Sequence, residues 1–407
     1  MNSTNSQLLE ILRFQLFGGE KPPVISIDTE QVLNEAQAQT VFSTVFPFFQ
    51  EKLQKEGSPV YFKYQELFLG NIIKNTNNLM EHDELNRLMT ENDIPYCALK
   101  GLASAYYYPD PSLRDMGDVD FLIDEKDFER AKQAVLNAGF TVDHGDQADS
   151  LHIAFKREPI SIWEQHRSVN GIPGGKTGER IKKEIVRMIA TSELIEQDSA
   201  SCRIPDAFHH GLIMLLHVAS HMTSEGIGMR HLCDWAVFAN KLGNKEFVML
   251  FEENLKHFGL WKFAQMLTLV SEKYLGMSHK EWAQNPDVTE EQLEAVMEDI
   301  LNGGNFGKKD LNRYREIKYI SNRGERTVDN KHVISQVFGT LNQKVYSDYP
   351  VIEKRKALLP IGWIAEGGRY AGLLITGRRK SKGTSAMLKE AAKRKDIYSK
   401  MELFEIK

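Results

Sequence analysis

Leu99-Lys100-Gly101, followed by Arg114-Asp115-Met116-Gly117-Asp118-Val119-Asp120-Phe121-Leu122-Ile123, joins a glycine turn to two carboxylates at Asp-x-Asp spacing. The apolar tail Phe121 to Ile123 predicts a strand, and side chains two apart on a strand share a face, so Asp118 and Asp120 are expected to share a cation. Hard divalent cations such as Mg2+ take oxygen ligands, often one or two protein carboxylates with substrate phosphates and water completing the shell. An isolated Asp-x-Asp also arises by chance on surface strands and turns, so its flanks decide its weight. Upstream, an apolar run from Ile94 ends at Lys100-Gly101, and Leu102 to Tyr108 suit a short helix. A strand, a glycine turn and a helix start present backbone N–H groups to a phosphate. Lys100 adds a point charge there, Ser104 is the nearest hydroxyl, and Arg114 offers a planar fork to phosphate oxygens. The alternative is that Gly101 only turns the chain and Arg114 only pairs with Asp115.

A third acid lies in Ile160-Ser161-Ile162-Trp163-Glu164-Gln165-His166. Alternation places Ile160, Ile162, Glu164 and His166 on one face of a strand, and an acid among apolar neighbours needs a metal or a cation. Glu164 therefore completes a carboxylate triad with Asp118 and Asp120. In a two-metal displacement the two aspartates bridge both ions, and Glu164 holds the one that activates the attacking hydroxyl.

Two further motifs compete with this one. Leu212 to His221 puts His217 and His221 at i and i+4 on a helix, a spacing that can bind zinc, and Asp234 would supply a third ligand for a metal hydrolase. Val218 stands where the general-base Glu of His-Glu-x-x-His belongs. Histidines in so apolar a helix are otherwise core residues bonded to a carboxylate, and no stoichiometric zinc is expected. Gly171-Ile172-Pro173-Gly174-Gly175-Lys176-Thr177-Gly178 imitates a P-loop, but the motif's first Gly would fall at position 170, which is Asn. A mobile lid over the site is expected instead.

The stretch Leu99 to Ile123, then Trp163-Glu164-Gln165-His166, His217-Val218-Ala219-Ser220-His221 and Arg230-His231-Leu232-Cys233-Asp234, resembles the bacterial nucleotidyltransferase-like family of the DNA polymerase beta-type superfamily. The resemblance covers roughly residues 80 to 245 and extends weakly to Leu359-Pro360 and Trp363. It implies a small mixed sheet flanked by helices, with an NTP and Mg2+ (or Mn2+) over the Asp-x-Asp strand. Lys100 and Gly101 would form the phosphate turn, and Asp118, Asp120 and Glu164 would be metal ligands. His217, Arg230 or Asp234 would line the cleft. Two departures are visible: Leu102 follows the first Gly where many members have a second Gly or Ser, and the third acid is Glu rather than Asp.

Composition sets the outer limits. The 407 residues can bury more than one core. A net charge of −5 gives no general electrostatic reason to bind nucleic acid. Cys97, Cys202 and Cys233 are scattered and odd in number, which suits a reducing cytoplasm and neither a disulfide framework nor a zinc knuckle. Met1 to Glu20 does not read as a signal peptide, and no apolar run reaches bilayer-spanning length. Helical patterns run over 31–56 and 62–92, with Phe46, Phe48 and Phe49 as core, then from Glu125 to Gly139, and again over 246–302, with Trp261, Phe263 and Met266 as core. Strands are expected at Phe140 to Val142 and His152 to Lys156. The cation-rich tail, Arg369 to Lys395, reads as a solvated face. The expected architecture is α+β, organised as a helical region (1–92), a nucleotidyltransferase core (93–200), a helical domain (201–330) and a C-terminal region (331–407). The expected function is Mg2+-dependent transfer of a nucleoside monophosphate from an NTP to a hydroxyl of a small molecule, sugar or protein. The alternatives are a non-catalytic nucleotide-binding or interaction protein on the same fold and the His217/His221/Asp234 hydrolase.

Overall fold

Every residue of the strand Val119–Ile123 (β2) is buried, because both of its faces are covered. The computed structural model describes residues 1–23, 28–57, 59–143, 151–158, 161–198, 200–305, 309, 394 and 396–405. β2 lies between β1 (Tyr96–Leu99) and β5 (Ser161–His166) in a five-stranded sheet of order β1-β2-β5-β4-β3, completed by β3 (Thr141–Val142) and β4 (His152–Arg157). Only β2 and β5 pair in parallel; the other neighbours are antiparallel. A parallel pair needs a long crossover, which the helix α6 (Phe128–Asn137) and the β3–β4 hairpin supply.

The alternation of β2 sorts two cores. Val119, Phe121 and Ile123, with Phe155 and Trp163, pack on Phe128, Ala131, Ala134 and Val135 of α6 and on Leu85 and Met89 of the 33-residue helix α4 (Pro59–Glu91). Leu122, with Cys97 and Leu99 of β1, joins the larger helical core that contains Leu212 and Leu216 of α8 (Ala207–Met222). Asp120 shares the face of Leu122 and therefore looks into the helical body.

That body comprises α1 (Ser3–Phe17), α2 (Thr29–Ala38) and α3 (Phe42–Lys55) before α4, and α7 (Gly175–Thr191), α9 (Met229–Lys241), α10 (Asn244–Phe258), α11 (Trp261–Leu275) and α12 (Glu290–Gly303) around α8. The short α5 (Gly101–Ala105) follows β1, and a hairpin of β6 (Glu193–Gln197) and β7 (Ala200–Ile204) packs on α4 and β1. The class is α+β, as expected. The chain divides into two compact units, residues 1–311 with 397–407, which hold all these elements, and residues 312–396. No helix among the described residues is long and apolar enough to cross a membrane. The cation-rich tail apart from Arg394, the weak match at Leu359-Pro360 and Trp363, and Ile160 lie outside the described residues.

Phe46, Phe48 and Phe49 are buried core, as their clustering implied. The helical stretch 31–56 is two helices rather than one. It breaks where Thr40 adopts a left-handed φ of 56° and buried Gln39 donates to the Leu301 carbonyl and accepts from Met229 N, partners far away in sequence.

The glycine-rich loop before α7 is explained by packing. Gly171 has φ +88°, and a Cβ there would lie 2.3 Å from the Leu216 carbonyl oxygen of α8; one at Gly178 would lie 1.8 Å from the Pro173 carbonyl oxygen. These close backbone approaches press the loop onto α8 and onto itself, which corrects the expectation of a freely moving lid. Gly171→Ala is expected to destabilise the protein by about 2–3 kcal/mol, combining overpacking with a disfavoured backbone angle. Chemical denaturation checks this, and an unchanged midpoint would refute the packing account.

Candidate active site

Asp120 and Glu164 are direct partners in the parallel register of β2 and β5, so their carboxyl groups stand side by side on the face turned to the helices. Asp120 Oδ1 accepts from Lys100 Nζ at 3.0 Å and from His166 Nε2 at 2.7 Å, and that same His166 nitrogen lies 3.3 Å from Glu164 Oε2. One ligand atom from each of Asp120, Glu164 and His166 falls within 4.8 Å of the others. Asp118 sits in the turn before β2 rather than on the strand, which corrects the shared strand face expected for the two aspartates. On β5, Ser161, Trp163 and Gln165 form the buried face, whereas Ile162 is exposed and Glu164 half-buried. The third acid thus lies on the less buried face of β5, between exposed Ile162 and buried His166. His166 was not singled out as a site residue, although strand alternation placed it two residues beyond Glu164 on the same face.

Charge is unevenly shared among these groups. Burial pushes the Asp120 carboxyl up, but Lys100 and His166 outweigh it and hold it far below the usual carboxylate range. Burial works against the His166 imidazolium, yet its bonds to Asp120 and Glu164 keep its pKa above the ordinary histidine value. The Lys100 ammonium is likewise kept charged against burial by Asp120, with Glu164 and Asp118 behind it. For Asp118 the balance is reversed: burial and the neighbouring Asp120 and Glu164 carboxylates outweigh Lys100 and push it up to about 6. The carboxylates of Asp118, Asp120 and Glu164 are an oxygen donor set that suits a divalent cation, whereas His166, held as the imidazolium, serves Asp120 as a hydrogen-bond donor.

Asp118 and Asp120 line a cavity of about 690 Å3 together with Lys100, Gly101 and Ser104 of the turn. The turn is strained, since Lys100 has φ 52°. Arg114 also reaches this cavity, but its fork is engaged: Nε and Nη2 donate to the two carboxylate oxygens of Asp234 at 2.8 and 2.7 Å, and Tyr108 donates to Asp234 Oδ1 at 2.8 Å. The pair is buried. Neither the free phosphate fork nor the Arg114–Asp115 pair expected from sequence is formed; Asp115 instead accepts from Ser43 Oγ and Asn71 Nδ2. The same bonds commit Asp234 to Arg114 and Tyr108.

The α8 and α9 side of the cavity carries His217, His221 and His231, whose ring centroids are 4.4, 5.3 and 6.0 Å apart. All three are neutral: burial lowers them, His221 to about 4 and His231 to about 3, with Lys100 and Arg230 adding to the effect at His221. His231 was unassigned in the sequence reading because only the fold brings its helix against α8.

The family model described as an uncharacterised nucleotidyltransferase matches residues 26–276, more than half of the chain and all of the site. A solved structure, described as an antigenic nucleotidyltransferase-like protein from Paracoccidioides brasiliensis, is similar at 15% identity with a TM-score of 0.34, covering 50% of this chain and 94% of that one. No curated protein matches significantly.

The depressed histidines give a pH dependence with a fixed sign. Unfolding releases each to protonate below the ordinary value of 6.5, while the folded protein keeps His221 and His231 neutral down to about 4 and about 3, so stability falls as pH drops through that window. His231→Gln is expected to reduce the slope of unfolding free energy against pH by one proton, ~1.4 kcal/mol per pH unit between about pH 4 and 6. Denaturation series at several pH values measure it, and parallel slopes would contradict a neutral buried His231.

Proposed function

The chain belongs to the uncharacterised nucleotidyltransferase family, and from that premise we propose that it transfers a nucleoside monophosphate from an NTP to an acceptor hydroxyl with release of pyrophosphate. The observation that carries this reading is the registered pair Asp120–Glu164 with Asp118 beside it, of which Asp118 and Asp120 line a cavity large enough for a nucleotide. Asp118, Asp120 and Glu164 would hold Mg2+ or Mn2+, and the bound ion would neutralise charge developing on the transferred phosphoryl group.

The chain's own residues divide the remaining work. His166 and Lys100 fix the Asp120 carboxylate from two sides. Lys100 brings a charged ammonium to the rim of the cavity, where phosphate oxygens would meet it beside Gly101 and Ser104. Glu164 accepts the proton of the attacking hydroxyl as its oxygen bonds the α-phosphorus; the bond from that phosphorus to the bridging oxygen breaks, and pyrophosphate leaves with the electron pair. Arg114 positions the loop through Asp234 instead of touching phosphate.

Purified protein incubated with each labelled NTP, Mg2+ or Mn2+ and a metabolite extract is expected to transfer label and release pyrophosphate. Asp118→Asn and Asp120→Asn are each expected to abolish that turnover, a loss of at least about a thousandfold, while the melting temperature stays within a few degrees for Asp118→Asn and falls further for Asp120→Asn, which leaves Lys100 and His166 without their shared partner. Full Mg2+-dependent activity in either variant would remove the site assignment. Nucleotide binding without label transfer in the wild type would favour the non-catalytic alternative.

A further inference from the structure

Arg230, at the start of α9, lines the cavity and has no task in the chemistry above. Lys100 is tied to Asp120 and Arg114 to Asp234, but among the described residues Arg230 forms no ion pair with any carboxylate. Its Nη1 donates to the Asp115 backbone carbonyl at 3.2 Å, and its Nε is buried without a hydrogen-bond partner. Nearby acids are committed elsewhere, Asp115 to Ser43 and Asn71, and Asp234 to Arg114 and Tyr108. A half-buried guanidinium with one hydrogen bond to a carbonyl and a buried Nε left unmet is a place for an anion.

We propose that Arg230 receives a phosphate-type oxyanion of a substrate held in the cavity, either the end of the NTP polyphosphate or an anionic group on the acceptor. This rests on the nucleotidyl-transfer reading only for the source of the anion. Guanidinium is suited to it, since its fork matches two oxygens of one phosphate. The surroundings agree. His221 and His231 beside it are neutral, and burial and Arg114 together outweigh the attraction of Asp234 and Asp115, neither of which forms an ion pair with it. Lys100, His221 and Arg230 line the same cavity, so an anion held at Arg230 shares it with the cation of the turn. His217 has a buried Nδ1 without a partner in the same wall, which can donate to a phosphate oxygen in the matching tautomer.

The test needs no turnover. Pyrophosphate, tripolyphosphate, ATP and adenosine are titrated in Mg2+ against wild type, Arg230→Met and Arg230→Lys, and inorganic phosphate is titrated against the same proteins saturated with ATP. Arg230→Met is expected to bind one of these anion sets about ten- to a hundredfold more weakly, Arg230→Lys to fall between, and adenosine binding to stay unchanged. Loss confined to the polyphosphates assigns the NTP as the source; loss confined to inorganic phosphate assigns the acceptor. Ligand-free Arg230→Met is expected to melt at or above the wild-type temperature, because it removes a desolvated charge. Equal affinities in both series would overturn the proposal. So would a ligand-free Arg230→Met that melts well below wild type or fails to fold, since Arg230 would then be a structural support of the Asp115 carbonyl. Absence of pyrophosphate release alongside an intact Arg230-dependent loss of anion binding would sink the transfer reading and leave the oxyanion site standing.

Discussion

The buried Arg114–Asp234 pair is the interaction on which the site depends. It joins the loop that leads into β2 to a helix 120 residues further on, and Tyr108, just after α5, adds a third member. Two charges removed from water repay their desolvation only in good geometry, and removing one partner of such a pair costs about 3–5 kcal/mol. Here the geometry is bidentate. Asn75 reinforces it from α4, donating to the Ser112 and Arg114 carbonyls and accepting from Met116 N, while Asn78 reaches the carbonyls of Gly117 and Asp118. The segment from Ser112 to Asp118 is therefore held from two sides, and Asp118 inherits its place from that network rather than from a strand. A carboxylate positioned by satisfied backbone bonds needs little reorganisation when a substrate arrives.

With the loop fixed, the cavity has an acidic wall from the sheet, and opposite it α8 and α9 set neutral histidines beside the cation Arg230. The contrast follows from which groups find partners. Asp120 has an ammonium and an imidazolium against it and stays ionised in a buried place, whereas the histidines opposite have cations for neighbours and burial all round, so they give up their protons. Negative charge is thus concentrated where a cation fits. Buried neutral imidazoles add hydrogen-bonding capacity without cancelling that field.

How much of this was legible from the chain varies with the range of the interaction. The strand Val119–Ile123, the helix over Phe128–Asn137 and the acid-bearing strand at Ser161–His166 follow from local periodicity, and all three are present. The alignment of Glu164 with Asp120 follows once β5 is placed beside β2, which the resemblance implied and periodicity alone did not. Arg114 was misread because its partner lies 120 residues away, and the adjacent Asp115 offered a local answer. The break at Gln39 was hidden for the same reason, since its amide bonds to Met229 and Leu301. In Gly171–Gly178 the glycines read as a phosphate loop or a lid, because sequence shows that backbone must come close to something without showing that the something is another carbonyl.

Lys100 ties the strain in the turn to the electrostatics of the site. A lysine at φ 52° occupies a region that residues other than glycine rarely adopt, and its ammonium ends on the oxygen of Asp120 that a divalent cation would seek. Ammonium and cation are therefore rivals for one carboxylate, and any group that draws Lys100 away makes Asp120 a better ligand. A phosphate placed beside Gly101 is such a group. By linkage the converse holds equally under the proposed function: a cation on Asp120 would free Lys100 to meet phosphate, so nucleotide and cation would each strengthen the other's binding.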